Sequence, residues 1–256
     1  MSVLDLFHLT RKTAIVTGGS RGVGAQIAEA LAEAGANIVI CSRDQSACRQ
    51  MANKLKTYKV ETLGLACDVT NPENVEEVVK KTVAYFKTID ILVNNSGATW
   101  AAPVEEMPVS AWEKVMNVNV KGTFLMSQAV GKVMISQRCG KIINIASIAG
   151  FGGTPSFMQT ISYNTSKGAV ITFTKDLAVK WGQYNIHVNA IAPGFFPTKM
   201  SQTLIEKQEN MILNRTPLNR LGNETDLKGA AVFLASHASD YVTGDILTVD
   251  GGAHAL

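Results

Sequence analysis

Short runs rich in β-branched residues alternate with longer helical stretches along this 256-residue chain, and that rhythm constrains its fold more than any other feature. Strands are expected near 12–17, 37–41, 60–66, 89–94, 140–146, 186–191 and 245–249. Helices are expected over 22–34, 44–56, 72–87, 110–137, 160–182 and 224–236. Strands separated by helices demand right-handed crossovers and a parallel sheet. The strands read as nearly continuous apolar runs, such as Ile89-Asp90-Ile91-Leu92-Val93, as strands covered on both faces should. No repeat, low-complexity tract or linker divides the chain, so residues 1–256 are expected to form a single doubly wound α/β domain.

Bulk properties remove several function classes. A net charge of +3, with no clustered basic run, argues against nucleic acid or an anionic membrane as partner. Cys41, Cys48, Cys67 and Cys139 lack metal-ligand spacing, so no metal is expected, and reduced thiols in the cytoplasm fit better than a disulfide framework. Met1 to Thr10 does not read as a signal peptide, and no apolar run has the length of a membrane span. The segment 194–223 breaks the rhythm: it is long, opens with Pro193-Gly194-Phe195-Phe196-Pro197 and has a weak helical pattern. A lid over a substrate is expected there.

Between the first strand and first helix lies Gly18-Gly19-Ser20-Arg21-Gly22-Val23-Gly24. Glycines at such a junction let the backbone turn tightly and approach a pyrophosphate, which then rests on the orphan N–H groups of the helix N-terminus. The same residues satisfy Gly-x-Ser-x-Gly, the nucleophile elbow of serine hydrolases. An elbow normally follows several strands, whereas this turn follows the first. A dinucleotide's second recognition point is the end of the second strand, here Ser42 and Arg43. Arg21 and Arg43 would suit a ribose 2′-phosphate through charge-assisted hydrogen bonds, which favours NADP(H). Asp44, one residue on, keeps NAD(H) possible.

Ser147 ends the fifth strand, at the carboxyl edge where open α/β sheets hold ligands. Tyr163 and Lys167 lie four apart, on one face of the following helix. A phenol with a pKa near 10 is a poor proton donor or acceptor at neutral pH, and an adjacent ammonium favours its ionised form. A shift of about three pH units corresponds to ~4 kcal/mol. A serine hydroxyl can polarise the same carbonyl oxygen.

Taken with the glycine turn, these residues resemble the short-chain dehydrogenase/reductase family over nearly the whole chain. Thr17 to Gly24 is similar to its cofactor turn, and Asp68-Val69 to the pair beside the adenine. Asn94-Asn95-Ser96-Gly97 resembles its Asn-Asn-Ala-Gly, which implies cofactor contact by Asn95 and Gly97. Asn119 is similar to the helix asparagine that completes a tetrad with Ser147, Tyr163 and Lys167. Pro193 and Gly194, with Phe196 and Thr198, resemble the segment that holds the nicotinamide carboxamide. The resemblance implies strand order 3-2-1-4-5-6-7, hydride transfer between a nicotinamide and a ketone or secondary alcohol, Tyr163 as acid/base and Ser147 as carbonyl partner. It also implies that Lys167 lowers the Tyr163 pKa and holds the nicotinamide ribose, that Asn119 keeps a kinked helix and a proton-relay water, and that the chain forms a homotetramer through the helices at 110–137 and 160–182.

Two departures stand out. Ser96 replaces the usual alanine, and Tyr163 follows Ser147 by 16 residues, so 151–160 is expected to be an enlarged loop over the site. Leu6-Phe7-His8-Leu9, 104–112 and Arg215-Thr216-Pro217 resemble gluconate 5-dehydrogenases, which implies a keto-sugar acid. The 3-oxoacyl carrier-protein reductases share the tetrad, and Trp100, Phe151, Phe157, Phe195 and Phe196 could line an apolar pocket for a 3-oxoacyl thioester. A non-catalytic dinucleotide sensor is the alternative from a different class.

Overall fold

The computed structural model describes residues 2–256. Strands β1 (Thr13–Thr17), β2 (Asn37–Ser42), β3 (Thr62–Ala66), β4 (Ile91–Asn94), β5 (Gly140–Ile145), β6 (Ile186–Pro193) and β7 (Ile246–Val249) form one sheet in the order 3-2-1-4-5-6-7. Every adjacent pair is parallel, as expected. The side-chain period of two divides the core into two layers. Ala14, Val16, Ile38, Ile40, Ile91 and Val93 face helices α1 (Gly22–Glu33), α2 (Gln45–Leu55) and α8 (Lys228–Ala235). The residues between them, Ile15, Val39, Cys41 and Leu92, face α3 (Pro72–Phe86), α5 (Gly122–Gln137) and α6 (Ile161–Trp181). Each fully buried Ile or Leu contributes about 2 kcal/mol by removing its surface from water.

Three elements differ from expectation. The helix expected over 110–137 is α4 (Val109–Met116) joined to α5 through a π-helical turn at Asn117–Lys121. The last helix starts at Lys228 rather than near 224. Asp226 instead pairs in two-pronged fashion with Arg220 (2.6 and 2.9 Å), and Asn223 Oδ1 accepts from the Thr225 amide, which stabilises a turn. Within 194–223 lies α7 (Gln202–Asn214), kinked at Gln208 where φ is −135°.

The two edges of the sheet differ in character. At the amino edge, Lys12 pairs with Asp90 (3.1 Å), which also accepts from the Thr13 amide, and Lys141 pairs with Asp240 (2.9 Å). At the carboxyl edge the loops after β1, β4, β5, β6 and β7 converge, and most of the expected site residues lie there.

Candidate active site

Gly18 and Gly22 adopt φ of +61° and +56°, a region that side chains disfavour. The Gly18 amide donates to the Cys41 carbonyl (2.7 Å), which ties the turn to β2. Asn95 holds it from the other side, its Nδ2 donating to the Thr17 and Gly18 carbonyls (3.0 and 3.1 Å). A Cβ at Gly24 would stand 2.3 Å from that amide nitrogen, so only glycine fits there. The turn thus presents the N-terminus of α1, whose N-cap residue Arg21 makes no side-chain cap, and this cradle fits a pyrophosphate. Thr17, which opens the stretch similar to the cofactor turn, fixes the next strand: its Oγ1 accepts from the Asn95 and Ser96 amides (both 3.0 Å). A threonine ending the first strand was the available signal.

The residues expected at the adenosine end lie around the end of β2. The Ser20 and Ser42 hydroxyls meet at 3.3 Å, bringing the turn to the end of β2, with exposed Arg21 and Arg43 beside them. Ser20 therefore sits on the β2 side of a cradle rather than at the apex of an elbow. Asp44 is engaged elsewhere, since its Oδ1 accepts from the Ala47 amide (3.0 Å) as the N-cap of α2. Asp68 accepts from the Thr70 amide and hydroxyl (2.9 and 2.8 Å). The Thr70 amide bond is the largest influence holding its carboxyl below the usual range, and Arg43 and Lys121 add to it. Val69 is buried against Gly122, where a Cβ would stand 2.6 Å from its side chain.

Three members of the tetrad meet beside the end of β5. Ser147 is buried, its Oγ accepting from the Ala149 amide (3.2 Å) and interacting with the Tyr163 phenol. The Lys167 ammonium stands 5.5 Å from the Tyr163 ring centre and donates to the Ile145 carbonyl (2.5 Å). Asn119 sits in the π-helical turn, so the expected kink is present. Its Oδ1 accepts from the Ala98 amide (2.7 Å), and its Nδ2 donates to the Ala98 carbonyl and the Ser166 hydroxyl (2.9 and 2.8 Å). The side-chain amide is thereby fixed on protein groups and clamps the loop after β4 to α6. Ser166, passed over in the sequence reading, completes the clamp by donating to the Tyr163 carbonyl (2.7 Å).

The electrostatics correct one expectation. Burial pushes the Tyr163 phenol up, opposed by Ser147, so its pKa lies above rather than below the ordinary phenol value. The reason lies in Lys167: it is 5% exposed, has no carboxylate partner among the described residues, and burial pushes it down to about 8. An ammonium weakened by its own desolvation does little to offset that of the phenol.

At the nicotinamide end, the Gly194 amide donates to the Val249 carbonyl (3.0 Å), and Thr198 lies over the glycine turn, within 3.8 Å of the point a Gly22 Cβ would occupy. The Phe196 side chain is not at the cleft. Its ring is 6% exposed, in the α1/α8 core layer, and covers Gly222, where a Cβ would stand 2.4 Å from it. Two consecutive phenylalanines in a chain leaving the sheet must part, and the second turned inward. The expected apolar pocket therefore loses Phe196, while Trp100 and Phe151 are 42% and 46% exposed. Gly97 lies between Asn119 Oδ1 and the Met200 side chain, which reaches in from the segment before α7.

Residues 18–254 match a sequence family described as Enoyl-(Acyl carrier protein) reductase. The chain is 37% identical over 254 residues to gluconate 5-dehydrogenase of Gluconobacter oxydans, covering 98% of each. It is 41% identical over 245 residues to 3-oxoacyl-[acyl-carrier-protein] reductase FabG of Chlamydia trachomatis, covering 95% of this chain and 98% of that one. Among solved structures, a gluconate 5-dehydrogenase from Burkholderia cenocepacia in complex with NADP and tartrate superposes with a TM-score of 0.95 at 37% identity, covering 100% of both chains. The chain belongs to the short-chain dehydrogenase/reductase family. It is an oxidoreductase acting on CH–OH groups and the corresponding ketones.

Proposed function

We propose that this chain uses NADP(H), with NAD(H) a weaker partner, to interconvert a keto-sugar acid and its hydroxy form, with a 3-oxoacyl thioester as the second substrate class. The single observation that carries the reading is the meeting of Ser147, Tyr163 and Lys167 at one sheet edge, beside a glycine cradle shaped for pyrophosphate. Gly18, Ser20, Gly22, Val23 and Gly24 would hold the pyrophosphate, and Ser42, Arg21 and Arg43 the 2′-phosphate. Asp68, Val69, Asn95 and Gly97 would border the adenosine half, and Pro193, Gly194 and Thr198 the nicotinamide half. The bound nicotinamide supplies the hydride to carbon in reduction and accepts it in oxidation.

The chain's own residues manage the oxygen. The Tyr163 Oη–H donates its proton to the carbonyl oxygen as negative charge develops there, and the Ser147 hydroxyl donates a hydrogen bond to the same oxygen. As the phenol gives up its proton, the buried Lys167 ammonium gains a negative partner, so its stabilisation is realised in the transition state more than in the ground state. Lys167 and Tyr163 would also hold the nicotinamide ribose. Asn119 fixes the loop and helix that carry these groups. The bonds that engage Asp44 as a helix cap favour the 2′-phosphate over a bare 2′-hydroxyl.

The same reading has α7 and its flanks, residues 194–223, acting as a substrate lid. It places the protein in the cytoplasm as a homotetramer with small-molecule partners, built through α4–α5 and α6, where Val109, Phe124 and Val179 are exposed. No described helix is long and apolar enough to cross a membrane. The test is turnover of a panel of keto-sugar acids and 3-oxoacyl thioesters with NADPH and NADH, followed by nicotinamide absorbance. NADPH oxidation with at least one ketone is expected. NADPH binding without turnover of any of them favours the sensor reading instead.

A further inference from the structure

Strands β4, β5, β6 and β7 are adjacent and parallel, so the segments leaving them, 95–102, 146–160, 194–201 and 250–256, share the carboxyl edge of the sheet. A sugar acid docking between Ser147 and Tyr163 brings a carboxylate to that edge. The first two segments contain no charged residue. The third contributes Lys199, exposed beside Thr198, and the lid that continues from it carries Lys207, Arg215 and Arg220, all exposed, with Arg220 committed to Asp226. The fourth contributes Asp250 and His254.

These two are built as a unit. The Asp250 side chain is 5% exposed, and its Oδ2 is bonded to His254 Nδ1 (2.7 Å) and accepts from the His254 amide (2.8 Å), while Oδ1 accepts from the Gly252 amide (3.0 Å). The backbone around them is held on both sides. Gly194 packs on Asp250, where a Cβ would stand 2.8 Å from its Cα, and Gly251 packs on Thr216 at the end of the lid segment. The imidazole projects from this platform, 39% exposed, and lies against the Phe151 ring with centres 5.6 Å apart. Phe151 follows Gly150, which packs directly on the Lys167 backbone. The His254 ring thus bridges the nicotinamide segment and the enlarged loop after Ser147. Its Nε2 has no partner among the described residues.

We propose that His254 receives the carboxylate of the substrate, with Asp250 as its positioning residue and Phe151 as the wall that fixes the ring. Held through Nδ1 by Asp250, the ring leaves Nε2–H for the acid, a charge-assisted bond that a neutral sugar lacks. This inference rests on the keto-acid reading above and makes the recognised group specific.

The test compares 5-ketogluconate with a neutral ketohexose in the wild type, His254→Ala and His254→Arg. In His254→Ala the KM for 5-ketogluconate is expected to rise about ten-fold more than that for the ketohexose, with kcat for the acid little changed, and His254→Arg should restore much of the acid preference. Equal changes for both substrates, or none, overturn the proposal. Calorimetric titration of gluconate into the protein with NADPH, a hydroxy acid beside an already reduced cofactor and so unable to react, gives a reading independent of turnover, and affinity should fall about ten-fold in His254→Ala. Should the wild type reduce no ketone while that loss of gluconate affinity is observed, the proposed reaction fails and the carboxylate site stands. Unchanged gluconate affinity removes the site, whatever the enzyme reduces.

Discussion

Strand β5 has an ammonium at each end, one partly buried and one buried, and the two are treated differently. At its amino end Lys141 is 12% exposed at the side chain and bonded to Asp240 at 2.9 Å. Burial still moves its pKa down, against the pull of that carboxylate. At its carboxyl end Lys167 donates to a neutral carbonyl, has no carboxylate partner among the described residues, and is pushed down to about 8. A paired charge at the edge of a core is ordinary architecture. An unpaired one is tolerated only where the surrounding fold over-determines it, and such positions concentrate at working sites. The contrast extends along each edge. The amino edge matches its cations to Asp90 and Asp240, whereas the carboxyl edge gathers positive-φ glycines, open helix N–H groups and the Ser147–Tyr163–Lys167 cluster.

Substitutions at the two edges should separate in the same way. Tyr163→Phe removes the proton source at the carboxyl edge. Its kcat should fall by about 10²–10⁴, while NADPH affinity, read by cofactor fluorescence, stays within a few-fold. Loss of affinity as large as the loss of kcat would show that the phenol serves chiefly to hold the nicotinamide ribose and not to move a proton. Arg43→Ala removes an unpaired cation from the same edge and should raise the KM for NADPH about ten-fold more than that for NADH. An unmoved ratio would remove the 2′-phosphate from the account. Lys141→Met at the opposite edge should change stability by no more than about 1 kcal/mol in thermal unfolding and leave kcat unaltered. Asp240 is half-exposed there and keeps His237 at 2.9 Å, so little is left stranded.

The sheet was legible because both of its signals are local: apolar runs of strand length and helical stretches between them. Its order came through the family resemblance, as did Asn119. Elements whose form depends on tertiary partners were harder. The π-helical turn at Asn117–Lys121 leaves no period of its own in the sequence, and the late start of α8 follows from the Arg220–Asp226 pair. Phe196 illustrates the limit at the site. A motif places the residue near the nicotinamide, but the need to cover Gly222 turns the ring into the core. The Tyr163 acidity was misjudged for a related reason, since sequence spacing shows an ammonium near a phenol but not how deeply each is desolvated. The Asp250–His254 pair was invisible because two residues in a C-terminal tail acquire meaning only when Phe151 is brought against them.

The central claim is that Lys167 is kept buried and unpaired for its work with Tyr163, at a cost to the fold. Its folded pKa of about 8 lies below the ordinary 10.5, so between those values the unfolded chain binds the extra proton and stability rises with pH. Below about pH 8 the buried ammonium therefore costs about 3 kcal/mol, against which the bond to the Ile145 carbonyl returns about 1 kcal/mol. Thermal unfolding of Lys167→Met at pH 7, measured beside its kcat, tests this directly. The account predicts a Tm raised by roughly 5 °C, an advantage that fades as pH approaches 10.5, together with kcat reduced at least about 10²-fold. A variant that is less stable than the wild type and still turns over would contradict it.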